Sequence, residues 1–227
     1  MATRVYCPLS AESQPYTATL DAAWSDQSIL VRAIARTTKL GSTTTNVDFP
    51  TDGDATDKNI AFRQYLSFPL TAGQTITGGQ AIKAQVRCRQ FDAGNNMFVT
   101  VGIRVIASDG TTIRKAVLAA TRDNVEGGNA AATNRQFTAT SAATNYTTVA
   151  GDRLEFVLGT GGDPDAGKSH QSRLVLGDDN GATDLPEDDT TNAGDPWIEL
   201  ADTLTFETTR PAIIGGGIGC DTWVIGA

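Results

Sequence analysis

Apolar and polar side chains alternate along two successive stretches of this chain, and a period of two admits little besides a β-sheet with one face in water. Ile82, Ala84, Val86 and Cys88 alternate with Lys83, Gln85, Arg87 and Arg89. Val99, Val101, Ile103 and Val105 then share one side of the run 98–106. Successive side chains of a strand point to opposite faces, so each set of four predicts a core face. Between residues 98–106 and the next apolar run, 113–118, stands Ser108-Asp109-Gly110-Thr111. Asp-Gly flanked by alternating apolar residues predicts a hairpin.

Further strands are expected around residues 29–35, 62–68, 137, 146–149, 153–158, 172–176, 197–200 and 204–206. Leu154, Phe156 and Leu158 should face inward. Polar, Gly-rich stretches between them read as loops: 41–59, 120–134, 159–167 and 178–195. No segment reads as a convincing helix. Short strands at close intervals with turn signals between them predict an all-β protein, an antiparallel β-sandwich of jelly-roll type with extended N- and C-terminal arms. The division expected is 1–34 for an N-terminal arm with first strands, 35–208 for the sandwich and 209–227 for a C-terminal arm. The strands near 62–68 and 198–206 are expected to pair and close the sheet.

Composition agrees. Thr occurs 32 times and Gly 23 times in 227 residues, and these two types suit pleated surfaces and turns. The formal net charge of −8 argues against nucleic acid and against an anionic membrane surface as partners. No apolar run reaches the length of a membrane helix, and no signal peptide is read at the N-terminus. Cys7, Cys88 and Cys220 are odd in number and far apart, so free thiols made in a reducing cytosol are expected.

Residues with chemical potential are few. His170 is the single histidine, in a polar loop without the sequence context of a nucleophile, and reads as a solvated side chain. One His with scattered Cys makes no zinc site. The acidic loop offers oxygen ligands in Asp178, Asp179 and Asp184 for Ca²⁺, although EF-hand spacing is absent; the plainer reading is an acidic solvated rim. No carboxylate pair for glycoside hydrolysis stands out. Trp24 and Trp197 flank strands and read as core residues. Gly215-Gly216-Gly217 lacks the Lys-Ser/Thr of a phosphate loop. The chain therefore reads as non-enzymatic.

The C-terminus differs from the body. After Arg210-Pro211 the chain is apolar and Gly-rich, with Ile213, Ile214, Ile218, Trp223, Val224 and Ile225 to bury. These six residues are the expected partner-binding set, docking either on a neighbour or back on their own domain.

Several segments also resemble a group of bacteriophage and prophage structural proteins of about this length. They are Thr3-Arg4-Val5-Tyr6-Cys7-Pro8-Leu9-Ser10, Arg63-Gln64-Tyr65-Leu66-Ser67 with Pro69-Leu70, and Gln74-Thr75-Ile76-Thr77-Gly78. Ile103-Arg104-Val105 before Asp109-Gly110-Thr111, Gly151-Asp152-Arg153, Asp184-Leu185-Pro186-Glu187-Asp188 and Pro196-Trp197-Ile198-Glu199-Leu200 continue the likeness over most of residues 1–208. Cys7, where the group has Leu, and the apolar tail depart from it. The resemblance implies a virion component synthesised in the host cytoplasm: a capsid decoration, collar, fibre or tail protein. Its expected partners are other virion proteins and further copies of itself, docked through the termini. The alternative is a carbohydrate-binding module on the virion, with a glycan as ligand.

Overall fold

The computed structural model describes residues 2–9, 13–179 and 181–207. Its strands are β1 (Thr3–Tyr6), β2 (Val31–Ile34), β3 (Ser42–Phe49), β4 (Lys58–Leu66), β5 (Thr75–Ile76), β6 (Ala81–Gln90) and β7 (Met97–Ile106). The series continues with β8 (Ile113–Glu126), β9 (Thr133–Thr140), β10 (Tyr146–Thr147), β11 (Arg153–Gly162), β12 (Ser172–Asp178) and β13 (Trp197–Leu200). A short 3-10 turn at Ala93–Asn95 is the one helical element among the described residues.

The strands form two packed sheets. In the first, β9, β6, β12 and β3 lie side by side, while β13 continues the line of β12 along β6 and carries β1 on its far side. In the second the order is β2, β4, β11, β7, β8. All these pairings are antiparallel except that of β2 with β4. The eight long strands thus alternate between sheets in the orders 3-12-6-9 and 4-11-7-8, which is the jelly-roll arrangement of two Greek keys. β5 and β10 make a separate two-stranded ladder.

The core lies where the alternation places it. Ile82, Ala84, Val86 and Cys88 of β6 meet Val99, Val101, Ile103 and Val105 of β7 and Leu154, Phe156 and Leu158 of β11, all essentially without solvent contact. Trp24 and Trp197 are buried as expected. Cys7 and Cys88 are free, buried thiols, and burial pushes both up to about 12. Ala33 and Ala35 of the segment 29–35 also reach the core.

Several loops expected from the sequence are strands. Residues 42–49 form β3, an edge strand paired only with β12. Its outward positions are Thr, Asn and Asp, so the polar run has no apolar alternation to display, while Thr still suits an extended backbone. β8 runs on to Glu126 with several register shifts against β7, and these bulges blur its period. β11 runs through Gly159, Gly161 and Gly162. Those glycines act there as room for neighbours. A Cβ on Gly159 would lie 1.9 Å from the Ile60 carbonyl oxygen and 2.9 Å from the Trp24 ring, and one on Gly161 would lie 2.1 Å from Asn59 Oδ1. The expected closing pair is not made. β4 belongs to the second sheet and β13 to the first, and only an isolated bridge joins Leu70 to Phe206.

Both outer faces carry a further layer of chain. Residues 13–30 cross the second sheet, where Leu20 and Trp24 pack on Ala61 and Val157. This cover leaves every residue of β11 buried on both faces, Glu155 included. Glu155 accepts from Gln64 Nε2 and Arg104 Nε, each at 2.5 Å. Gln64 and Arg104 donate in turn to the carbonyls of Ala18 and Thr19. A buried carboxylate persists only when its lone pairs are met in this way. The described residues of the segment 1–34, expected as an N-terminal arm with first strands, supply a strand to each sheet and a cover to the second.

Gly159→Ala is expected to displace Trp24 or open the β4–β11 ladder and to lower stability by about 1–3 kcal/mol, the usual cost of overpacking. A urea midpoint followed by Trp fluorescence checks it; a midpoint unchanged from wild type contradicts the packing described.

Candidate functional site

The acidic loop is tied down as closely as the N-terminal segment. Leu185 is buried and its carbonyl accepts from Trp197 Nε1 at 2.7 Å. Asn134 donates to the carbonyls of Pro186 and Asp188, and Gln136 N–H donates to Asp189. Lys83 pairs with Glu187 and Arg135 with Asp189. The acidic rim expected from the sequence is therefore fastened to the first sheet through Leu185 and Asp195, while nine of its 17 described residues stay exposed. Four of its seven acidic residues meet cations: Asp184 meets Arg4 and Lys39, Asp195 meets Lys39, Glu187 meets Lys83 and Asp189 meets Arg135.

The three carboxylates read as calcium ligands go to three separate sets of partners. Asp178, fully buried, accepts from the Ser42 hydroxyl and from the backbone N–H of Leu40 and Ser42. Asp179 accepts from Gly181 N–H. Asp184 meets Arg4 at 2.8 Å, Lys39 at 2.9 Å and the Tyr6 hydroxyl at 3.1 Å. Among the described residues no group of three or more His, Cys, Asp or Glu is arranged to hold a metal ion. The Lys39 ammonium occupies the centre of the loop, with Asp184, Asp195 at 2.6 Å and the Ala182 carbonyl around it. Burial alone would raise the Asp184 carboxyl, but hydrogen bonds from Lys39 and Arg4 outweigh it and hold the group below its ordinary value. Lys39 lies 39 positions into the chain and Arg4 at its start, so nothing local in the acidic stretch announces its counter-ions.

Arg4 links this cluster to a surface groove. Its guanidinium stacks 3.7 Å from the Trp197 ring centroid and bridges Asp184 to Glu199. The groove beside it has a volume of about 690 Å³ and is walled by Thr3, Arg36, Phe68, Leu204 and Phe206. Both ends of the described chain meet here. Thr3 N–H and hydroxyl donate to the Asp202 carbonyl, and the Thr3 hydroxyl accepts from Leu204 N–H. Thr71 N–H donates to Thr205, and Glu207 N–H to Pro69. The six apolar residues expected to bind a partner, Ile213 to Ile225, and Cys220 lie outside the described residues.

His170 is not the solvated side chain expected. It is fully buried, with Nδ1 3.0 Å from Asp52 Oδ2 and its backbone N–H on Asp52 Oδ1. Asp52 also takes the Lys58 ammonium at 2.6 Å. The β3–β4 and β11–β12 connections are thereby locked together. Burial works to raise the Asp52 carboxyl, but Lys58 and the N–H groups of Asp54 and His170 prevail and bring it to about 2. The polar surroundings in sequence gave no sign of this, because the partner stands 118 positions away.

No family model matches this sequence, and no curated protein matches it. Solved structures with similar folds include two structures of a CocE/NonD family hydrolase from Staphylococcus aureus, at 9% identity and TM-score 0.42. The alignment covers 89% and 90% of this chain but only 36% and 37% of the hydrolase. The sugar-binding C-terminal domain of EclA aligns at 15% identity and TM-score 0.23, over 60% of this chain and 76% of that one. An infectious bursal disease virus particle protein aligns at 12% identity and TM-score 0.27, over 72% of this chain and 40% of that one. These likenesses reach no further than the fold. The reading of the chain as non-enzymatic is withdrawn, because hydrolases stand among its structural neighbours; at that similarity they establish no catalytic activity either.

Two outcomes follow from the ion pairs. Lys39→Ala leaves Asp195, wholly buried, without its cation and is expected to cost about 3 kcal/mol; a chemical-denaturation curve checks it. The Asp52 carboxyl, ordinarily near 3.8 and held at about 2, stabilises the fold fully above its ordinary value and loses that contribution as pH falls from there toward 2. Asp52→Asn should lower the thermal midpoint at neutral pH and flatten its decline across that acid window.

Proposed function

We propose that this protein is a structural component of a bacteriophage particle, a capsid decoration, collar or tail protein, that docks on neighbouring subunits through its termini. The observation that carries the reading is the convergence of both ends of the described chain at one groove, beside Arg4, Arg36, Phe68 and Phe206. Ends that leave a sandwich at one place engage one neighbour together. The apolar composition of residues 211–227 supports the same reading, since a solvated tail is polar. Burying ~400 Å² of Ile, Val and Trp surface is worth ~10 kcal/mol before ordering costs, at ~25 cal/mol per Å². The partners under this reading are further copies of the chain and other virion proteins, and its place is the virion. The glycan-binding alternative draws no support from the tryptophans that would serve as platforms, because Trp24 and Trp197 are buried.

The mass in solution of the intact chain and of a chain ending at Arg210 tests the proposal. A stable oligomer that falls to a folded monomer on truncation is expected. An intact chain that is monomeric, or an oligomer that survives truncation, overturns docking through the C-terminal arm between copies.

A further inference from the structure

The part of the first sheet left open by the acidic loop carries charge opposite to that of the molecule. Arg87 and Arg89 project outward from β6 on the face that bears Lys83 and Gln85 nearer the loop. Arg173 of β12 stands directly across from Arg89 in the ladder. Like charges in directly opposed positions destabilise a sheet unless something compensates them. Compensation here is partial. Asp48 of β3 forks Arg173, with oxygens at 2.5 and 2.8 Å from Nε and Nη2. The Phe91 ring lies 4.4 Å from the Arg89 guanidinium and 5.1 Å from that of Arg173. Arg89 Nε otherwise reaches only the Asn129 carbonyl, at 3.4 Å. Arg87 Nε is buried without a hydrogen-bond partner among the described residues, and burial pulls the group below its ordinary pKa. Among the described residues no carboxylate pairs with Arg87 or Arg89, in a chain where acids outnumber bases 26 to 18.

We propose that this face, centred on Arg87 and Arg89 with Val175 of β12 directly across from Arg87, is a docking surface for an extended acidic segment of a partner protein. The chemistry of the occupant follows from three features. Guanidinium forks match planar carboxylates two bonds at a time, and the Arg173–Asp48 pair shows that match on the same face. Arg87 and Arg89 are two residues apart on one strand, hence about 6.5–7 Å apart, the spacing of alternate side chains in an extended chain. Phe91, half-buried beside Arg89 and Arg173, offers apolar surface to the methylene stems of glutamates. The surface lies apart from the groove at the chain ends and does not use residues 211–227. Truncation at Arg210 therefore leaves it intact, and failure of the terminal docking model and failure of this one are separable.

The probe is a nine-residue peptide with Glu at alternate positions and Thr between, titrated into the full-length protein at low salt. Binding is expected, weakened at least tenfold in the double variant Arg87→Gln/Arg89→Gln and weakened less in Arg87→Lys, which keeps the charge and loses the fork. Thermal midpoints of both variants report that they are folded; if the double variant does not fold, Arg89→Gln alone takes its place. Three results overturn the proposal: no binding of the peptide, binding that the arginine variants leave unchanged, or tighter binding of inorganic phosphate or a sulfated polysaccharide to the same arginines.

Discussion

Strand β11 has water on neither face, and the rest of the structure is arranged around that condition. Its inward side chains, Leu154, Phe156 and Leu158, form the middle of the sandwich core. Its outward side chains, Arg153, Glu155 and Val157, are sealed by the N-terminal segment. Burying a carboxylate in the centre of a sheet is costly if it is left without partners. Here it is answered by Arg104 and Gln64 from the flanking strands, and these are answered by backbone carbonyls of the cover. The covering layer and the strand are therefore mutually obligatory: neither is satisfied without the other.

The first sheet solves the corresponding problem with opposite charges. Its outward residues on β1, β6, β9 and β13 include Arg4, Lys83, Asn134 and Trp197, and the acidic loop folds over them. Lys39 anchors that loop from within. A stretch that carries seven acidic residues and no basic one is held on the sheet because counter-ions for four of them arrive from residues distant in sequence. The sandwich thus carries a further layer of chain on part of each outer face, each fastened by polar contacts.

Much of the body was legible in the sequence, and the reasons for the rest are specific. The period of two in β6 and β7 and the Asp-Gly turn after β7 marked strands and faces, because one face of each is apolar throughout. β3 was illegible since an edge strand with polar outer residues shows no such contrast. The end of β11 was hidden by glycines that usually break strands and here admit Trp24 and Asn59. At the candidate site the acidic residues were legible as a cluster, but their partners were not. Lys39 and Arg4 for Asp184, and Asp52 for His170, are joined only by the fold, across 118 positions or more.

The pairing of β1 with β13 has a consequence for how the molecule comes into being. Thr3 lies opposite Leu200, and Arg4 finds Asp184 and Glu199 only across the whole length of the domain. A chain made amino end first can join Tyr6 of β1 to Arg36 early, but the ladder partner of β1 is the last of the described strands. The jelly roll can assemble its inner strands during synthesis, but the seam that joins start to finish closes afterwards, through the least local contacts in the molecule. The groove at the chain ends is formed by that same seam, so it is complete only in a finished subunit.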